Sequence, residues 1–191
     1  MKDEKSNHAL FARVLARRGN RRLENVATMA LGVFLLTALA QISFRLPWTV
    51  VPITGQTFGV VFVSLLLGRA RAAASVASYL FLGMAGVPVF AGLRYGLSLS
   101  PTLGSLIGMF FSSIVVGTLA DRGWSKSFVT AWAAATLGSL TTFACGLAIL
   151  SHYVPRSELL GAGFLPFLPG DLIKNVSASL LVSRANREVQ K

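Results

Sequence analysis

The sequence predicts an all-α integral membrane protein, a bundle of six transmembrane helices with both termini in the cytoplasm. Of its 191 residues 53% are hydrophobic and only 13% are charged, a composition too apolar for an ordinary soluble domain. Five uncharged runs, of 20 to 29 residues, are each long enough for a span: 25–44, 46–68, 72–93, 95–120 and 127–155. A sixth run, near 161–183, is interrupted only by Asp171 and Lys174.

The basic residues are divided unequally between alternate connections. Fourteen lie on one predicted side of the membrane: before the first span, in every second connection and at the C-terminal end. The connections on the opposite side contain only Arg45, Arg94 and Arg156. This asymmetry is the positive-inside signal, so we expect a basic cytoplasmic segment at 1–22, a membrane domain at 23–184 and a cytoplasmic tail at 185–191. It also explains the net charge of +11 without nucleic-acid binding, which we do not expect.

The N-terminal part combines a basic segment with the first span. Residues 8–18 suit either a helix on the anionic membrane surface or a disordered basic tail. The first span is predicted near Glu24–Phe44. Its Thr28 and Gly32 form a small-xxx-small pair, which favours close helix packing within the bundle or contact with a partner protein.

The second span is predicted to be short and to follow an irregular segment. Pro47 and Pro52 break the chain, and a helix over 54–68 would rise only about 22 Å against a core of about 30 Å. We therefore expect part of 46–57 to be extended or turning and to fold back at the outer face. There Gln56 either lines a cavity or meets lipid headgroups.

A glycine-rich apolar connection follows the third span, which is predicted near Ala72–Val87. Residues 86–102 are too apolar for a plain solvated loop and suggest a lid that packs against the bundle. Arg94 is the only charge in this connection. It can hold a carboxylate bidentately, or it can lie among headgroups.

The fourth and fifth spans are predicted near Leu103–Ala120 and Phe128–Ser151, with glycines that favour tight packing at 104, 108, 117, 138 and 146. No nucleotide-binding or hydrolase motif is visible. The lone Cys145 excludes an intrachain disulfide, and His8 and His152 lack ligand spacing. We assign no metal, no cofactor and no enzymatic activity.

The sixth span carries the most informative residues. Pro166 and Pro169 delay the helix, so Asp171 falls in its first turn, where the helix dipole stabilises a carboxylate. Asp171 and Lys174 are three residues apart and share a face. Together with Gln56 and Arg94 they predict a pocket with apolar walls at one end of the bundle, although a purely structural charge pair is the alternative.

Four motifs together resemble the BioY family of biotin-binding S components of energy-coupling factor (ECF) vitamin transporters. They are VPITGQT (51–57), GVPVFAG (86–92), SPT (100–102) and FLPGDLIK (167–174), and the resemblance extends over about 24–183. It implies a six-helix bundle in the bacterial cytoplasmic (inner) membrane, with biotin as the transported ligand. It also implies a T component and two ABC-type ATPases as partners, besides membrane lipids, and leaves a homo-oligomer open.

The resemblance also assigns roles to residues. It implies that Asp171 accepts from the ureido N–H groups of biotin, that Lys174 supports Asp171 and reaches a biotin oxygen, and that Phe90 and the following loop cover the bicyclic ring. The loop is about two residues shorter here than the family pattern, so Arg94, Tyr95 and Gly96 are candidates to replace a family contact. Gln56 completes the predicted biotin-binding set.

Two other functions remain open at this stage. An ion-coupled secondary transporter of a small organic acid would use Asp171 as proton carrier beside Lys174. A structural or assembly protein of the membrane would bind no ligand. A membrane enzyme is disfavoured because neither a nucleophile nor a metal cluster accompanies the pair.

Overall fold

The computed structural model describes residues 21–45, 47, 49–96 and 100–189, and these are mostly helical. The helices are α1 (Arg21–Gln41), α2 (Gln56–Met84), α3 (Leu103–Asp121), α4 (Phe128–Leu150), the short α5 (Leu159–Gly163) and α6 (Leu168–Val189). Among them α1 to α4 are long and apolar enough to cross a membrane. The predicted surface helix at 8–18 lies outside the described residues, as does nearly all of the basic segment 1–22.

A short antiparallel hairpin follows α1. The first helix was predicted to reach Phe44, but it ends at Gln41, and Ser43–Phe44 (β1) pairs with Ile53–Thr54 (β2). The extended and turning segment predicted from its prolines is thereby confirmed. Leu46 and Trp48 within it lie outside the described residues.

Helix α2 contains a sharp reversal at Gly68, whose φ of 74° and ψ of 178° are not helical. The Gln56 side-chain amide donates to the Tyr79 hydroxyl at 2.5 Å. In a continuous helix these residues would be separated by about 34 Å, so residues 56–67 and 69–84 run antiparallel as two arms. The reversal leaves no room for a side chain, because a Cβ at Gly68 would collide with the Asp121 carboxylate. That carboxylate also accepts from the Arg69 N–H at 3.0 Å.

Helices α3 and α4 begin and end within one residue of their predicted bounds. Glycines bring them close together: a Cβ at Gly104 would lie 2.5 Å from the Cys145 carbonyl oxygen, and one at Gly108 would lie 2.8 Å from the Thr142 Cα. Tight packing at these glycines is thereby confirmed.

The small residues of α1 also face the bundle. A Cβ at Gly32 would lie 2.5 Å from the Ser75 hydroxyl oxygen, and Thr28 is only 1% exposed. The prediction of packing within the bundle is confirmed for this pair.

Helix α6 begins late, as its prolines predict. A turn of 3-10 helix at Leu165–Phe167 precedes it, and Asp171 lies in its first turn. The helix continues beyond the predicted domain boundary at 184 to Val189, and the Asn186 side chain anchors it by donating to the Ser125 carbonyl at 2.9 Å.

Candidate functional site

A cavity of about 680 Å³ lies at one end of the bundle. Its walls come from the β1–β2 segment, the loop after α2, and the adjoining ends of α3, α4 and α6. All seven residues predicted for the site line it: Gln56, Phe90, Arg94, Tyr95, Gly96, Asp171 and Lys174. The predicted convergence of distant segments on one pocket is thus what the structure shows, and the role of each residue stays a prediction.

Two neighbouring side chains hold the Asp171 carboxylate. The Ser139 hydroxyl donates to Oδ1 at 2.8 Å, and the Asn175 amide donates to Oδ2 at 2.9 Å. The same amide nitrogen donates to Ser139 Oγ at 2.9 Å, so the three residues form a closed network. An ionised carboxylate can accept about four hydrogen bonds, and each oxygen therefore keeps acceptor capacity for a ligand.

The ammonium of Lys174 is not bonded to Asp171. It donates to the Thr54 carbonyl at 2.8 Å and to the Thr57 hydroxyl at 3.1 Å, and no direct ion pair joins it to Asp171. The two opposite charges attract each other without direct contact, and the support of Asp171 by Lys174 in ligand binding stays a prediction. An ammonium has three donors, so one remains for a ligand.

Gln56 lies inside the bundle, with only 4% of its surface exposed. Its oxygen accepts from the Thr54 hydroxyl at 3.0 Å while its nitrogen donates to Tyr79, whose own hydroxyl donates to the Val89 carbonyl at 3.1 Å. The headgroup alternative is excluded for this residue. Gln56 instead connects β2 to the loop after α2.

That loop presents an aromatic ring and a cation to the cavity. The Phe90 N–H donates to the Arg94 carbonyl at 3.0 Å, and the Phe90 ring packs edge-to-face on Tyr79 with centroids 5.4 Å apart. It also lies directly over Gly83, where a Cβ would collide with it. Arg94 is exposed, and within the described chain its guanidinium has no hydrogen-bond or ion-pair partner.

Sequence reasoning missed several residues of this site. Thr57 and Arg45 line the cavity, and Ser139 and Asn175 hold Asp171 from behind. Asn175 had a signal, since it is four residues after Asp171 on one helix face. Ser139 had none, because it is 32 residues away in the chain.

The charges around the cavity favour an anionic ligand with a hydrogen-bond-donating head. Its described lining contains three cations, Arg45, Arg94 and Lys174, and one acid, Asp171. Among the described residues no group of three or more His, Cys, Asp or Glu side chains could hold a metal ion.

Comparison with known proteins gives concordant results. The model of the BioY family matches residues 8–191. The biotin transporter BioY of Thermotoga maritima is 34% identical over 164 residues, which cover 84% of this chain and 96% of that protein. The biotin transporter BioY of Rhizobium etli is 37% identical over 147 residues, covering 69% and 75% respectively.

A solved structure shares the fold. The S-component for biotin from an ECF-type ABC transporter superimposes with a TM-score of 0.81 at 24% identity, covering 89% of this chain and 94% of that one. Motifs, cavity and relatives agree, and the chain belongs to the BioY family.

Proposed function

We propose that this chain is the biotin-binding membrane subunit of a vitamin uptake transporter and captures biotin at the outer face for import. The observation that carries the proposal is the cavity itself. Its partly apolar lining includes the Asp171 carboxylate, which Ser139 and Asn175 hold by hydrogen bonds, and the cationic residues Arg45, Arg94 and Lys174. Biotin has matching chemistry, with two ureido N–H donors at one end, a carboxylate at the other and an apolar middle. The names of the family relatives supply the ligand's identity.

In this proposal each residue binds a different part of biotin. The two oxygens of Asp171 accept from the ureido N–H groups, and Ser139 and Asn175 keep the carboxylate in place. Lys174 offers its remaining donor to a biotin oxygen. Phe90 covers the bicyclic ring, and Arg94 binds the valerate carboxylate, with Arg45 as a second cation nearby.

The proposed topology has six membrane-crossing segments and cytoplasmic termini. The reversal at Gly68 makes the two arms of α2 antiparallel, so each arm counts as one segment. With α1, α3, α4 and α6 the proposed number of membrane-crossing segments is six, which is even. Arg69 and Arg71 follow the reversal, and Arg122 and Lys126 lie in the α3–α4 connection, at the ends of the segments away from the cavity. The positive-inside rule then places the cavity at the outer face of the bacterial cytoplasmic membrane.

The partners proposed are a membrane-embedded T component and two ABC-type ATPases. The fold match to an S-component of an ECF-type ABC transporter supports an assembly of this kind. The relatives are named as transporters, which fits a subunit that moves its ligand unchanged. They do not favour the ion-coupled transporter of a small organic acid.

Calorimetric titration of the detergent-purified chain with biotin tests the proposal. We expect saturable binding with one ligand per chain, and no heat from a carboxylic acid that lacks the ureido ring, such as hexanoate. Equal heats from both compounds, or none from biotin, would contradict a biotin site.

A further inference from the structure

Gln41, the last residue of α1, joins that helix to the loop that faces the cavity. Its Nε2 donates to the Phe90 carbonyl at 3.3 Å, and its Oε1 accepts from the Leu93 N–H at 3.1 Å. Gln41 is not part of the cavity lining. One side chain outside the cavity lining therefore bonds to two backbone groups of the loop.

The loop contains one unfavourable backbone conformation. Leu93 has a φ of 56°, the only positive φ of a non-glycine residue in the described chain. The left-handed region is costly for a leucine because its Cβ crowds the following carbonyl oxygen. Packing does not compensate, since the Leu93 side chain is 64% exposed. The Leu93 N–H, however, donates a hydrogen bond to the Gln41 side chain.

The turn at Leu93 sets the direction of its functional neighbours. The Phe90 N–H donates to the Arg94 carbonyl, so residues 90–94 close into a tight turn around Leu93. Phe90 and Arg94 both line the cavity, and they are the first and last residues of this turn. If Leu93 left the left-handed region, the backbone direction of Arg94 relative to Phe90 would change.

We propose that Gln41 is a positioning residue of the ligand site: its amide holds Leu93 in the left-handed conformation and thereby presents Phe90 and Arg94 to biotin. The inference rests on the proposed function and deepens it. The competing explanation is that Gln41 merely ties α1 to the loop for stability, with no effect on ligand selection.

Three substitutions separate these explanations. Gln41→Ala removes both hydrogen bonds to the loop and a third bond within α1, from Nε2 to the Thr37 carbonyl at 3.0 Å. Gln41→Glu keeps an acceptor for Leu93 but loses the donor to Phe90. Thr37→Val is the matched control, because it changes only the Thr37 side chain and keeps the carbonyl that Gln41 contacts. Thr37 lies one turn earlier on α1, and its hydroxyl bonds only to the Val33 carbonyl. We expect Gln41→Ala to weaken biotin binding about tenfold in calorimetry, equivalent to the loss of about one hydrogen bond. We expect Gln41→Glu to weaken binding as well, because its second carboxylate oxygen would face the Phe90 and Thr37 carbonyls, and we expect Thr37→Val to keep wild-type affinity.

Ligand discrimination distinguishes positioning from stabilisation. If Gln41 orients Arg94, Gln41→Ala should reduce the preference of the protein for biotin over biotin methyl ester, which carries no carboxylate charge. A loss of affinity that is equal for acid and ester would show a general loosening of the loop and would overturn the proposal.

A second substitution tests the conformational step. Glycine adopts the left-handed region without penalty, so Leu93→Gly should make the turn less dependent on Gln41. We expect Gln41→Ala to cost about tenfold with Leu93 present and about threefold or less in the Leu93→Gly background. The same cost in both backgrounds would show that Gln41 does not act through Leu93.

Hydrogen–deuterium exchange of residues 86–96 without ligand separates this inference from the proposed function. We expect faster exchange in Gln41→Ala than in Thr37→Val, whether or not biotin proves to be the ligand. Unchanged exchange would overturn the positioning role even if the wild-type protein binds biotin. Absence of biotin binding in the wild type, with faster exchange in Gln41→Ala, would refute the proposed function and the assignment of Gln41 to a biotin site, and would leave only its hold on the loop.

Discussion

Replacing Asp171 with asparagine tests the central contact of the proposed site. Both carboxylate oxygens already accept one hydrogen bond from the protein, from Ser139 at 2.8 Å and from Asn175 at 2.9 Å. An asparagine at this position has one oxygen and one NH2 group. The NH2 group would face either the Asn175 amide, which is a donor, or the Ser139 hydroxyl, which can turn to accept from it. In both orientations only one oxygen remains to accept from the ligand.

The size of the effect follows from these contacts. A hydrogen bond to a charged group contributes about 1.5–3 kcal/mol, and each 1.4 kcal/mol corresponds to about tenfold in affinity. Loss of one charge-assisted bond to a ureido N–H should therefore weaken biotin binding by about one to two orders of magnitude. The substitution is nearly isosteric, so the helix should remain folded.

Titration calorimetry of Asp171→Asn measures the loss, with Asp121→Asn as the matched control. Asp121 undergoes the same chemical change at the reversal of α2, where it accepts from the Arg69 N–H, and it does not line the cavity. We expect Asp121→Asn to keep wild-type affinity. If Asp171→Asn binds biotin with wild-type affinity and is still monodisperse by size-exclusion chromatography, this would falsify the proposal that the Asp171 carboxylate accepts from the ureido N–H groups.

Three further predictions concern the cations of the site and the topology. Lys174→Met should weaken biotin binding about tenfold or more, because it removes a donor to the ligand and the bonds that hold Thr54; unchanged affinity by calorimetry would argue against any role in binding. Arg94→Ala should lose affinity for biotin and the preference for biotin over its methyl ester, whereas Arg94→Lys should recover only part, because a point charge replaces a planar fork. If Arg94→Ala keeps the wild-type preference for biotin over its methyl ester, Arg94 does not bind the carboxylate, and the alternative that it contacts lipid headgroups is favoured. In intact cells, cysteines introduced at Ser6 and Glu188 should resist an impermeant thiol reagent while one at Ser157 reacts; labelling at Ser6 would overturn the topology.

The sequence by itself determined the class of protein and the chemistry of the site. Apolar runs of span length, prolines that stop helices and the charge asymmetry act locally, so they can be interpreted without knowing which segments meet. For this reason α3, α4 and the extended segment before α2 lie close to where they were predicted. Asp171 stood out because a charge in an apolar run is costly and therefore rarely accidental.

The tertiary structure decided which groups satisfy those charges. Lys174 has an acceptor 120 residues away in Thr54, and Asp171 has a donor 32 residues away in Ser139. A sequence pattern reports which residues share a helix face, and it therefore suggested that the two charges pair with each other. Only the folded structure, which brings Lys174 to the Thr54 carbonyl and Asp171 to the Ser139 hydroxyl, shows that each has a nearer partner.

The reversal at Gly68 and the hydrogen bonds of Gln41 to the loop after α2 were likewise decided by the tertiary structure. The turn between the second and third segments was expected, but the absence of space for a side chain at Gly68 depends on Asp121, which belongs to another helix. Gln41 is an ordinary polar residue at a helix end, and nothing in its neighbourhood along the chain distinguishes it. The role proposed for it rests on contacts with Phe90 and Leu93, 49 and 52 residues further on, which exist only because folding brings that loop to the end of α1.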